Sequence, residues 1–160
     1  MGFFSKLFRK KDGPFDRGGH RGFYKDGKLD GPYETDGGHR GFYKDGERDG
    51  LWETYWASGQ LMAMATYRDG VKHGRGESYH ENGQLAEEGF YRQGKMNGQF
   101  LLYHDNGQLE ATENWKYGKR NGPYESYHEG GEVWAKGTYK DDEQCGEWFE
   151  KGETVTYDPC

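Results

Sequence analysis

From Tyr79 to Phe100 the chain reads YHENGQLAEEGFYRQGKMNGQF. Asn82-Gly83 lies between two segments that alternate aromatic or aliphatic with polar residues. This is a strong short-range hairpin signal, because a type I′ turn needs positive φ at both central residues. Moving outward from this stretch in steps of 24 residues aligns Tyr55, Tyr79, Tyr103 and Tyr127. The same step aligns Gly59, Gly83, Gly107 and Gly131, then Leu61, Leu85, Leu109 and Val133, then Tyr67, Tyr91, Trp115 and Tyr139. A second series, Trp52, Phe100, Tyr124 and Trp148, stands two residues after a glycine, with Gly76 as its non-aromatic member. Four complete units run from about 50 to 145. Upstream the period shortens to 19, and GGHRGFYKDG occurs identically at 18–27 and 37–46. A short unit opens near Gly13, and another closes the chain from Trp148.

A fixed period of this length marks a repeat architecture in which each unit covers its neighbour. Each unit reads as one β-hairpin, and the motif Tyr-[Lys/Arg]-x-Gly-x-x-x-Gly at Tyr24, Tyr43, Tyr67 and Tyr91 reverses the chain between hairpins. The expected fold is all-β: an elongated antiparallel meander or solenoid of about seven hairpins over residues 13–160. It should advance roughly 10 Å per hairpin at about 4.8 Å per strand.

Composition agrees with this reading. Leu, Val, Ile and Phe together make 20 of 160 residues, about 12%, where roughly 20% is the level below which a chain is suspected of disorder. Aromatic residues number 27 and glycines 28, while the net charge is only −6. A core of rings packed on glycine is implied. Helical bundles and doubly wound α/β folds, which consume aliphatics, are excluded. There is no stretch of 18 apolar residues and no signal-type apolar run at the N-terminus, so the sequence reads as cytoplasmic. Cys145 and Cys160 are too few for a disulfide framework and lack zinc-site spacing, so they read as two incidental thiols.

Pairing across a two- or four-residue turn sorts the side chains onto two faces. One face collects Trp52, Phe100 and Tyr124, then Leu61, Leu85 and Leu109, then Ala65, Gly89 and Gly137, and finally Tyr67, Tyr91 and Trp115. The other collects Tyr55, Tyr79, Tyr103 and Tyr127 beside Glu53, Glu77 and Glu125, with Met62, Ala86, Glu110 and Trp134 opposite. A three-residue turn would exchange the faces. The tyrosine face is acidic and rigid, which fits it to a basic protein partner. Tyr55, Tyr79, Tyr103, Tyr127, Glu53, Glu77, Glu125 and Trp134 are its candidate contact residues.

The motif quoted first, with Tyr-His-x-Asn-Gly-Gln-Leu followed by Gly-Lys-x-x-Gly, resembles the MORN-repeat variant found in bacteria, and the likeness covers nearly all of residues 13–157. The resemblance implies a β-hairpin solenoid without catalytic machinery. It is similar to YwqK-type antitoxins, partners of polymorphic toxins, and other MORN proteins act at membranes or as scaffolds. The shortened end units, and Asp142 where glycine is the rule, depart from the pattern.

The sequence offers no catalytic set, cofactor or metal site. His80, His104 and His128 recur one repeat apart, about 10 Å, whereas zinc ligands each sit about 2.1 Å from the ion. They read as aromatic-like turn residues in the place of Trp56. Gly89–Met96 mimics a phosphate loop, but Met96 replaces the hydroxyl and no helix follows. Asp45, Glu47 and Asp49 lack the bidentate glutamate of a calcium loop, Trp56 standing in its place.

Residues 1–12 differ from the rest. Phe3, Phe4, Leu7 and Phe8, flanked by Lys6, Arg9, Lys10 and Lys11, form a short basic amphipathic arm suited to peripheral membrane contact. Residues 1–21 carry a net +4 and the remainder −10, which disfavours direct nucleic-acid binding by the body. Two functions stand side by side. One is a non-catalytic binding module of antitoxin or immunity type that neutralises a cationic toxin. The other is a scaffold held at the inner face of the membrane by the arm.

Overall fold

The computed structural model describes residues 12–160; the amphipathic arm and its contact residues, Phe3 to Lys11, lie outside the described residues. The rest forms seven hairpins in one open antiparallel sheet. Gly13–Arg17 pairs with His20–Lys25, Gly31–Thr35 with His39–Lys44, Glu47–Tyr55 with Leu61–Arg68, and Val71–Tyr79 with Leu85–Arg92. Gly98–Tyr103 then pairs with Leu109–Lys116, Gly122–Tyr127 with Val133–Lys140, and Glu143–Glu150 with Glu153–Thr156. Each hairpin also pairs with the next, so the chain is a simple meander. No helix occurs among the described residues.

Directly opposed residues share a face. Trp52 lies opposite Ala65, Phe100 opposite Glu113 and Tyr124 opposite Gly137, with Tyr67, Tyr91, Trp115 and Tyr139 in the flanking row. This is the ring face. A single sheet has no second layer to bury such rings, yet Phe100 is 0% and Trp148 1% exposed. The cause is the glycine on the neighbouring strand. A Cβ built on Gly89 would fall inside the Phe100 ring, one on Gly41 inside Trp52, and one on Gly137 inside Trp148. Each ring lies flat on bare backbone. Neighbouring rings close the sides: Tyr91 lies 5.4 Å from Phe100, Tyr43 5.0 Å from Trp52 and Tyr139 4.8 Å from Trp148, all edge-on. Trp52 and Trp148 satisfy their indole N–H groups by donating to the carbonyls of Phe42 and Thr138, both at 3.0 Å.

Two expectations about local structure are corrected. Asn82-Gly83 is not a two-residue type I′ turn. The Gly83 N–H donates to the His80 carbonyl and the His80 N–H to the Gln84 carbonyl, both at 2.9 Å. Of the intervening residues only Gly83 has positive φ, at 87°. This is a three-residue loop with its glycine in the left-handed region. The paired positive φ values of I′ turns occur instead between hairpins, at Asp69-Gly70, Gln93-Gly94 and Tyr117-Gly118. The three-residue loop does not exchange the faces, because a bulge compensates. Tyr79 pairs with Leu85 but Ser78 with Glu87, so Ala86 is skipped; Met62, Glu110 and Trp134 are skipped likewise. From there the register coincides with that of a four-residue turn. Leu61, Leu85 and Leu109 lie on the turn side of the bulge, opposite Tyr55, Tyr79 and Tyr103, and so leave the ring face where the sequence placed them.

The cysteines are not incidental. Cys145 and Cys160 form a disulfide. The C-terminal tail returns to Gly146, which donates to the Asp158 carbonyl at 2.9 Å and accepts from Tyr157 N–H at 2.8 Å. Lys140 Nζ reaches the Cys160 carbonyl at 2.7 Å. A crosslink spanning 15 residues contributes at most about 3 kcal/mol in the chain-entropy account. It fastens the C-terminal tail to the Glu143–Glu150 strand.

If rings on bare backbone carry the fold, Gly89→Ala destabilises despite adding one methyl group. The expected loss in urea unfolding followed by tryptophan fluorescence is about 1–3 kcal/mol. An unchanged midpoint would mean that Phe100 does not depend on the glycine beneath it.

Candidate functional site

The opposite face is built from three rows. Tyr55, Tyr79, Tyr103 and Tyr127 stand beside the turns, opposite Leu61, Leu85, Leu109 and Val133. Next to them runs a charged row: Arg21 opposite Glu34, Arg40 opposite Glu53, Glu77 opposite Glu88, and Glu125 opposite Lys136. The third row begins Pro14, Phe23, Pro32 and Phe42.

Phenols and carboxylates are bonded to each other. Tyr79 donates to Glu77, Tyr127 to Glu125 at 2.5 Å, and Tyr103 to Glu88 at 3.1 Å. Arg75 spans two strands, 2.7 Å from Glu77 and 2.7 Å from Glu88. Arg40 pairs with Glu53 and its guanidinium lies 4.8 Å over the Tyr55 ring. Arg21 bridges Glu34 at 2.7 Å and Asp36 at 3.0 Å. The structure therefore brings Tyr55, Tyr79, Tyr103, Tyr127, Glu53, Glu77 and Glu125 onto one face. Their availability differs: the Glu77 side chain is 7% exposed beneath Arg75, whereas Glu125 is exposed. Trp134, on the residue skipped by its bulge, is 42% exposed and packs edge-on against His128 at 4.7 Å.

These contacts set the ionisation of the row. The Arg40 hydrogen bond holds Glu53 below the usual carboxylate range. Burial, helped by the Glu77 carboxylate, pushes the Tyr79 phenol up from 10.0 to about 12.

At the N-terminal end the same face carries a groove of about 860 Å³. Its floor is the backbone around Phe15, Gly22, Tyr33 and Gly41, with the Phe15 and Tyr33 rings projecting to the ring face. One wall is Pro14, Phe23 and Pro32, and the other is the Arg21–Glu34 and Arg40–Glu53 ladder. Phe23 and Phe42 are 39% and 42% exposed. The sequence contained the signal for this groove. In the duplicated GGHRGFYKDG, Tyr24 and Tyr43 belong to the ring rows, so alternation sends Phe23 and Phe42 to the other face.

The recurrent histidines are staples between units. His80 Nε2 donates to the Tyr103 carbonyl at 2.7 Å and His104 Nε2 to that of Tyr127 at 3.0 Å; Trp56 Nε1 does the same to Tyr79 at 3.3 Å. Among the described residues there is no cluster of three or more His, Cys, Asp or Glu able to hold a metal ion.

Successive hairpins, stacked through a ring row and stapled at the turns of Trp56, His80 and His104, define a β-hairpin repeat module. The MORN repeat variant model matches residues 48–69, 72–93, 96–117 and 120–141, more than half of the chain. The protein belongs to that family, whose repeats are in general non-catalytic interaction modules. No curated protein matches the chain.

The raised pKa of Tyr79 has a signed consequence. The folded chain holds this proton more tightly than the unfolded chain, so the stabilisation is complete below pH 10 and is lost as pH rises towards about 12. Several phenols are raised by burial, and an ultraviolet titration should show Tyr79 among the last to ionise, at about 12, a contribution that Tyr79→Phe should remove. A single uniform phenol transition near 10 would contradict the Tyr79–Glu77 contact.

Proposed function

We propose that the protein is a non-catalytic protein-binding module of antitoxin or immunity type, acting through the tyrosine–glutamate face on a cationic toxin. One observation carries this reading: the row of tyrosines is fixed in place by carboxylates and arginines before any partner arrives. Rigid phenol rings provide contact area at small entropic cost, and residues 22–160 bear a net −10, which steers a basic surface towards the face. A nucleic-acid-targeting toxin, whose substrate cleft is necessarily basic, has the matching charge. Exposed Glu125 and Trp134 are better placed for direct contact than Glu77, which acts by holding Tyr79. The cytoplasm is the proposed compartment; in its reducing milieu Cys145 and Cys160 would be held as thiols, leaving the seven hairpins hydrogen-bonded.

Affinity capture from the native host should recover one basic protein. Glu125→Lys and Trp134→Ala should each weaken that complex at least tenfold without lowering the melting temperature. Undiminished binding by both variants would remove this face from the interface.

A second reading, a scaffold held peripherally at the membrane, has its own support in the exposed row of Phe23, Phe42 and Leu51, the last 51% exposed. This row lies towards the N-terminal end of the sheet. Cosedimentation with vesicles containing anionic lipid separates the two readings. The scaffold reading requires the intact chain to pellet and a chain starting at Gly13 to remain in the supernatant. Equal behaviour excludes the arm as an anchor.

A further inference from the structure

The ring row has one gap. In the series Trp52, Gly76, Phe100, Tyr124 and Trp148, only Gly76 lacks a ring. Trp52, Phe100 and Trp148 each roof the small residue on the preceding strand, and a ring at position 76 would roof Ala65, its cross-strand partner. In its place the ring face has a pocket of about 200 Å³. Its walls are Trp52, Tyr67 and Tyr91, its floor Ala65 and Gly76, and Glu87 stands at one side. Tyr91 leans towards the gap, since a Cβ on Gly76 would come within 2.8 Å of its ring, but it does not fill the space. Roughly 150 Å³ is enough for benzene, so this partly open pocket, lined by charged as well as aromatic residues, has the capacity of a single aromatic ring.

The surrounding charges narrow the ligand class. The Arg48 guanidinium lies 4.3 Å over Trp52 and 5.3 Å from Tyr67, and Lys72 Nζ lies 4.6 Å over Tyr91. The ring faces that would attract a cationic ligand already carry resident cations, which repel a third. Glu87 is half-buried, and among the described residues it has Lys72 as a nearby charge but no hydrogen-bond partner. Burial raises its pKa, although nearby Lys72 opposes the effect. An N–H donor delivered into the pocket would replace water on this carboxylate.

We propose that the gap at Gly76 is a binding site for one neutral aromatic ring bearing an N–H donor, a ring of the indole type. The ligand ring takes the position that the repeat leaves empty, edge-on to Tyr67 and Tyr91, and its N–H donates to Glu87. This site lies on the face opposite the proposed toxin-binding surface and does not depend on that reading.

The test is titration of the full-length protein with indole and with N-methylindole, followed by heteronuclear and aromatic NMR. Indole should bind saturably with shifts confined to Trp52, Tyr67 and Tyr91. N-methylindole, which lacks the donor, should bind about tenfold more weakly. Ala63→Phe, which intrudes from the partly exposed rim of the pocket, should abolish binding. Glu87→Leu should weaken indole about tenfold and leave N-methylindole unchanged. A third titrant, N-acetyltryptophanamide, identifies the source: affinity equal to that of indole points to a tryptophan side chain of a partner, and loss of affinity to a free small molecule. Absence of saturable indole binding, or equal affinity for indole and N-methylindole, overturns the proposal. Both outcomes are read on the unsubstituted protein and need no variant to fold. Glu125→Lys and Trp134→Ala should bind indole normally, so failure here is distinct from failure of the toxin interface.

Discussion

The contact on which the whole structure depends is an aromatic ring lying flat on the backbone of a glycine one strand away. A sheet with a single layer exposes both faces, so apolar side chains standing upright would remain wet. By lying across Gly41, Gly89 and Gly137, the rings of Trp52, Phe100 and Trp148 gain a floor, and adjacent rings provide the walls. Aliphatic side chains are too short to reach over a neighbouring strand in this way. The chain therefore does without isoleucine, and a composition that resembles that of a disordered protein supports order.

The same contact explains why register is held so closely. A slip of one residue would move a ring to the other face and set a side chain where bare backbone is needed. The turn and the bulge are consequently coupled. A three-residue loop alone would shift the pairing by one; the skipped Met62, Ala86, Glu110 and Trp134 restore it before the first ring is reached. The residue at the bulge is thereby freed from pairing, and its identity varies from unit to unit as Met62, Ala86, Glu110 and Trp134.

Period, hairpin count and the ring row were legible because they are properties of spacing, and spacing survives in a linear reading. Trp52, Ala65 and Tyr67 could be placed together from alternation alone. Leu61, Leu85 and Leu109 could not, since an extra residue between them and the ring row breaks the alternation on which the inference rests. The disulfide was hidden for another reason: Cys145 and Cys160 meet only because the tail doubles back to Gly146, and the tail follows no repeat. The tyrosines and glutamates share one face, as alternation implies, but burial of Glu77 under Arg75, which also reaches Glu88 on the next strand, is not contained in a list of residue types.

Repetition supplies stability, and individuality has to come from what departs from it. Rings, staples and glycine turns recur because each unit needs them to cover its neighbour, so they cannot distinguish one partner from another. The departures are few and lie in particular places. Pro14 and Pro32 line a groove at one end, Gly76 opens a pocket in the middle of the ring face, and Trp134 exposes an indole on the opposite face near the other end. Each exchanges the residue type of the repeat for one that the neighbouring units do not require. Gly76 makes the case most directly: the series that supplies a ring at Trp52 and Phe100 supplies none here, Tyr91 leans over the bare backbone without closing the gap, and three aromatic walls and a carboxylate are left around a pocket.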